Sequence, residues 1–189
     1  MLIFFKIIFY MAVSGFIVGT ALFYSTAMAI DRITLPPLQE VFFSTTKNYM
    51  FVVSTPDQWK SMKSFGELFE IGGENRKPLW RKALPHNFRP RFVVVSDKGG
   101  VLLLDEWINV KSPYAVMVLD RGNNVVAQYQ FDEVQKFLDV AGPVIVKMAK
   151  HGIWITSPPK LDGSGEAALV EAAGKVFVIR LSDGNLSLK

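Results

Sequence analysis

At 189 residues, half of them hydrophobic and 13% aromatic, the chain has enough apolar surface to offset the entropy of folding one domain. That excludes a largely disordered protein, and the absence of cysteine excludes disulfide staples, thiolate metal sites and cysteine nucleophiles. A formal charge of +4 is a mild basic excess, compatible with an anionic envelope surface without requiring a polyanionic partner.

The chain begins with a targeting segment. Lys6 is the only charge before Asp31, and an uninterrupted apolar run covers 7–24. Ala27-Met28-Ala29 then supplies the small-x-small pattern whose side chains fit the pockets of signal peptidase. Residues 1–29 are therefore expected to be a hydrophobic helix that acts as a cleaved signal peptide. An uncleaved signal anchor is the alternative, because 18 apolar residues are near the minimum for crossing a hydrocarbon core of about 30 Å. A buried core helix would show a polar face, and this segment has none. Either way the domain is expected to be exported, to the periplasm or beyond, free or membrane-anchored. Residues 30–40, with Pro36 and Pro37, read as a linker, and 41–189 as the folded domain.

Within that domain, alternating or continuous β-branched and aromatic runs predict strands over 41–43, 49–53, 67–71, 92–95, 101–104 and 115–119, then 125–131, 153–156, 167–170 and 176–181. Turn residues that tolerate positive φ separate them, at Gly72-Gly73, 97–100, 121–124 and 182–185. One helix is expected, capped by Asp132, with Val134, Phe137 and Leu138 on one face and Gly142-Pro143 closing it. The stretch 144–150 fits a second helix or a strand, and 55–65 fits a helix or a surface excursion.

The chain also repeats itself. Apolar strands ending in Ser44, Ser96 and Ser157 each lead through a polar turn to a second strand, then a third, a Gly-containing turn and a fourth. This predicts a mainly β fold of three blade-like, four-stranded antiparallel repeats with one short helix inserted. Three such sheets leave unpaired edges, so an open or partial propeller, a sandwich-like stack and half of an oligomer are all open arrangements, and a helix at 132–150 could cover one edge.

The middle unit, RFVVVSDKGGVLLLDEW followed by YAVMVLDRGNNVV, resembles the blade-like repeat of a group of uncharacterised exported bacterial proteins. In that group a strand ending S-D-D-G leads to one ending D-x-W and then to a V-x-D-x-x-G hairpin. Ser96-Asp97, Gly99, Asp105, Trp107, Asp120 and Gly122 stand at those positions. The likeness is specific over 91–131, looser over the third unit and weak over the first, where 44–48 lacks the glycine. It implies a fold and a compartment, and no activity.

Residues able to carry chemistry are few. His86 and His151 are the only histidines, and a zinc site would need carboxylates placed beside them. Asp105 and Glu106 are a carboxylate pair beside Trp107, but neighbours on a strand point to opposite faces and do not readily act on one bond. Asp162-Gly163-Ser164-Gly165-Glu166 has too few oxygen ligands for calcium and reads as a polar turn. No nucleophile elbow, zinc helix, phosphate loop or dinucleotide fingerprint occurs. The densest basic region is Arg76, Lys77, Arg81, Lys82, Arg89 and Arg91, interleaved with Trp80 and Phe88. It suits an acidic partner protein or an anionic glycan or lipid surface, while an exported location disfavours nucleic acid. Lysines protecting a strand edge are the competing reading of the same residues.

The expectation is thus a non-enzymatic binding or scaffold module of the envelope, with no metal or cofactor. Its membrane contact would be through 1–29 if that segment is retained, and it could form homo-oligomers. A small envelope hydrolase or lyase using Asp105, Glu106 and His86 is the alternative.

Overall fold

The computed structural model describes residues 34–73 and 75–189; the expected targeting segment lies outside them. Among the described residues no helix is long and apolar enough to cross a membrane.

Among the described residues twelve strands form three antiparallel sheets of four. The first holds β1 (Gln39–Phe43), β2 (Tyr49–Ser54), β3 (Ser64–Gly72) and β4 (Asn75–Leu84) in that order. The second holds β5 (Pro90–Val95), β6 (Val101–Glu106), β7 (Val116–Leu119) and β8 (Val125–Tyr129). Two helices follow, α1 (Phe131–Leu138) and α2 (Gly142–Met148). The third sheet holds β9 (Ser157–Leu161), β10 (Ala167–Ala172), β11 (Lys175–Arg180) and β12 (Leu186–Leu188). Each sheet is a meander of consecutive strands, and each is open, with an edge strand at both ends.

The middle sheet explains the most hydrophobic stretches of the folded domain. Val93, Val95, Val101, Leu103, Met117 and Leu119 face the first sheet and pack with Tyr49, Phe51, Val53, Leu68 and Leu84. Their neighbours Val94, Leu102, Leu104, Val116 and Val118 face the third, against Ala168, Val170, Phe177 and Ile179. Both faces are buried, so β6 and β7 read as continuous apolar runs, whereas β1 alternates. Each large side chain so buried contributes roughly 1.5–3 kcal/mol. Phe131, Val134, Leu138 and Ile145 from the helices join the second core with Trp154 and Ile155.

Inner strands β1, β5 and β9 lie side by side and line a cavity of about 550 Å³. At one end of them Asp97 ties the sheets together. Its carboxylate accepts the Thr46 N–H at 2.8 Å and the Thr46 hydroxyl at 2.9 Å, and its own N–H donates to the Gly165 carbonyl at 3.1 Å. Gly165 has φ +72°, and a Cβ there would stand 2.3 Å from an Asp97 carboxylate oxygen, so no side chain fits.

Several expectations need correction. The described part of the stretch read as a linker, from residue 34 on, is tied to the domain: Trp107 Nε1 donates to the Thr34 carbonyl at 2.7 Å and Trp59 Nε1 to the Pro36 carbonyl at 2.8 Å. The second of these bonds also pins the excursion after β2, which forms no helix. Among the described residues there are two helices, the stretch after Gly142-Pro143 that fitted a helix or a strand being helical through Met148. Gln130, not Asp132, precedes α1, and the Glu133 carboxylate accepts its N–H at 2.9 Å. Helix α1 ends at Asp139, with φ +49°, and Gly142-Pro143 opens α2, because proline's missing N–H is no loss in a first helical turn.

No strand forms over 153–156. Trp154 and Ile155 enter the core there, and the strand is β9, whose Pro158 and Pro159 are tolerated on an edge that pairs with β10 alone. Ser157 therefore opens a strand, whereas Ser44 and Ser96 follow one. Their hydroxyls accept the N–H groups of Tyr49 at 3.2 Å and Gly100 at 2.9 Å across the hairpin loop. Asp162 does this work in the third sheet, accepting the Ser164 and Ala167 N–H groups at 3.1 and 3.3 Å.

Candidate functional site

Strand β4 is the outer edge of the first sheet, and its sequence, NRKPLWRKAL, sets out the basic residues along it. Registry with β3 assigns their faces. Arg76 lies opposite Ile71 and Arg81 opposite Glu67, on the face turned away from the second sheet. Lys77 opposite Glu70 and Lys82 opposite Gly66 share the other face with Trp80, which lies opposite Leu68. The register shifts between Leu68 and Phe69, so Leu79 and Trp80 both turn inward and join the partly buried rim of the first core.

Trp80 packs against Phe51 at 5.6 Å between ring centroids, and its Nε1 donates to the Arg121 carbonyl at 3.0 Å. Arg81 lies 4.3 Å above the Phe65 ring. Arg76, Lys77 and Arg81 are exposed and Lys82 is half-buried. Among the described residues none of the four is in an ion pair. The nearby Glu70 is paired instead with Arg121 at 2.6 Å. The ten-residue strand thus offers a basic ridge from Arg76 to Lys82, with an indole at its base.

Arg89 and Arg91 do not extend this ridge. Arg89 is 1% exposed, ion-paired with Glu40 and bonded through Nε to the Pro90 carbonyl at 3.1 Å, so it fastens β1 to the start of β5. Arg91 donates from Nε to the Glu106 carbonyl at 3.1 Å and from its guanidinium to Asn109 Oδ1 at 2.8 Å and to the Trp107 carbonyl. Both arginines hold the chain together where β6 ends.

The carboxylates and the histidine meet a different fate. Asp105, Glu106 and His86 are each 1% exposed. Asp105 has φ +55°, which breaks the strand alternation and sets its carboxylate beside Gly152, with Arg91 Nε at 3.9 Å. Burial raises its pKa to about 7, against the opposing pull of the Glu106 N–H and the Arg91 charge. Neither of its oxygens meets a donor at normal hydrogen-bond geometry, so the Glu106 N–H acts on it only as a nearby dipole. Glu106 sits elsewhere: its oxygens accept the Asn87 N–H at 2.6 Å and the Ser112 hydroxyl at 3.2 Å, and burial raises its pKa against these bonds. His86 lies against Tyr114, ring centroids 5.5 Å apart, and burial lowers its pKa to about 4. Glu106 and the His86 loop are thus neighbours, while Asp105 turns toward Gly152. The three do not converge on an open cleft.

No protein-family model and no curated protein matches the chain. Among the described residues no group of three His, Cys, Asp or Glu side chains is placed to hold a metal ion, and His151 packs edge-on against Phe92 at 5.4 Å.

Sequence reasoning missed the partnership of Asp105 with Gly152, although Gly after His151 was its one visible trace. Gly152 has φ +64°, and a Cβ would stand 2.2 Å from an Asp105 carboxylate oxygen. A Gly152→Ala variant is expected to lose about 2–4 kcal/mol of stability in denaturant unfolding, from backbone strain and overpacking together. A loss below about 0.5 kcal/mol would show that Asp105 is free to move aside.

Proposed function

We propose that this protein is a binding module of the cell envelope, built from three blade-like repeats and engaging an anionic polymer through strand β4. The observation that carries the reading is the ridge of Arg76, Lys77, Arg81 and Lys82 along one edge strand, backed by Trp80 and Phe65. A rigid sheet presenting guanidinium and ammonium groups along one edge suits a chain of regularly repeating charges such as phosphates, and its affinity would be mostly electrostatic. Export by the N-terminal segment would put such polymers within reach.

Burial of Asp105, Glu106 and His86 supports binding over hydrolysis, since a catalytic group must reach its substrate. Edge protection remains compatible with these residues, because Pro78 and the lysines also discourage strand pairing.

Titration of the full chain with inorganic polyphosphate separates the two. Reversal of all four charges, R76E/K77E/R81E/K82E, is expected to weaken binding at least about tenfold. Reversal of Lys147 and Lys150, on and after α2, should leave it unchanged. Equal binding by both variants would overturn the proposal.

A further inference from the structure

The geometry points to a second copy of this chain as the occupant of the two outward sheet faces, so that two chains close one ring of six sheets. The inference rests on the reading of the sheets as blades. Each sheet packs a front face on the back of the next, first to second and second to third, and in both cases the inner strands touch, β1 on β5 and β5 on β9. Among the described residues two sheet faces are left without a counterpart sheet. The first sheet turns Val41, Phe43 and Phe65 outward around Met50 and Val52, which their neighbours already bury, and the third turns Leu169, Val176 and Val178 outward; none of the six rim residues belongs to either core. Val41 is 40% exposed and Phe43 49%.

The unmatched faces are the back of one end and the front of the other, the two halves of one more interface of the kind the chain already makes twice. The number of sheets fixes the stoichiometry. Closed rings of such sheets run from roughly four to eight, so one chain is too few, two chains fit and three chains exceed the range. The area agrees. Four strands at about 4.8 Å spacing and about six residues long present on the order of 400 Å² per face. A chain using both faces buries on the order of 800 Å², about what a standard interface takes from each partner. The cavity between β1, β5 and β9 would then become the axis of the ring.

The chain has no cysteine, so introduced thiols report without background. Full-length chains carrying Glu67→Cys on β3 and Val178→Cys on β11, each with a different affinity tag, are co-expressed and purified from the fraction that holds them. They are then treated with a bismaleimide whose reach spans packed sheets, about 10 Å. Wild-type protein from the same preparation is weighed by sedimentation. The expected result is twice the protomer mass, with mixed-tag links exceeding same-tag links at least tenfold. A protomer mass, a mass beyond two chains, same-tag links in excess, or a dimer that forms no links would each overturn the ring. Polyphosphate binding is measured on the same sample: a monomer that still binds through β4 removes the ring and leaves the proposed function standing.

Discussion

An Asp105→Asn variant loses about 3 kcal/mol of stability as the pH falls from about 6.5 to about 4, across a range where the wild type stays nearly level. The reason is a compensation between two buried groups. Asp105, with its pKa raised to about 7, keeps its proton in the folded state where the unfolded chain has lost it. A raised folded pKa gives stability that is present at low pH and lost as the pH climbs through about 7. His86, with its pKa lowered to about 4, stays neutral when folded while the unfolded chain takes up a proton below about 6.5. That contribution is present at high pH and lost as the pH falls.

Between about 4 and 6.5 each state carries one of these protons, so the two slopes of about 1.4 kcal/mol per pH unit cancel. Glu106, raised by burial, adds to the Asp105 side near the lower end. Removing Asp105 exposes the His86 slope, and His86→Leu exposes the opposite one, with stability falling as the pH rises from 4 to 7. At pH 8 Asp105→Asn should exceed the wild type by on the order of 2 kcal/mol, because it no longer buries an ionised carboxylate. Urea unfolding of the three proteins from pH 4 to 8 measures all of this. Parallel profiles would mean that water reaches both groups.

A Phe177→Ala variant is expected to lose about 3–5 kcal/mol. Phe177 is fully buried on β11, stacked on Trp154 at 5.9 Å and edge-on to Phe137 at 6.0 Å. It is the point at which the third sheet, helix α1 and the segment before β9 meet, so the cavity left behind has walls on three elements and closes poorly. Val125→Ala, on a β8 side chain that is 48% exposed, should change stability by less than about 0.5 kcal/mol. Equilibrium unfolding of both variants checks the contrast, and similar losses would mean that this core is loosely packed.

Physical reasons divide what the sequence made legible from what it concealed. The three four-stranded sheets were readable because most hairpins carry turn residues and the middle sheet, buried on both faces, announces itself in PRFVVV, VLLLDE and VMVL. Strand β9 was hidden because an edge strand needs few of its N–H groups, so SPPKL forms one despite two prolines. Helix α2 was half visible, since Gly-Pro ends one helix and begins another by the same local rule. The ridge on β4 could be read directly, because an edge strand keeps its long side chains in water. Arg89 and Arg91 could not be separated from it by sequence. What removes them is Glu40, 49 positions away, and carbonyls at the end of β6, partners that only the fold supplies.

The salt dependence of polyphosphate binding by the full chain tests most directly whether β4 is the binding surface. If its four basic residues contact phosphate, the logarithm of the affinity should fall with the logarithm of salt concentration with a slope of about −3, and the slope should approach zero in R76E/K77E/R81E/K82E. An unchanged slope in that variant would contradict the account and place the binding surface elsewhere on the protein.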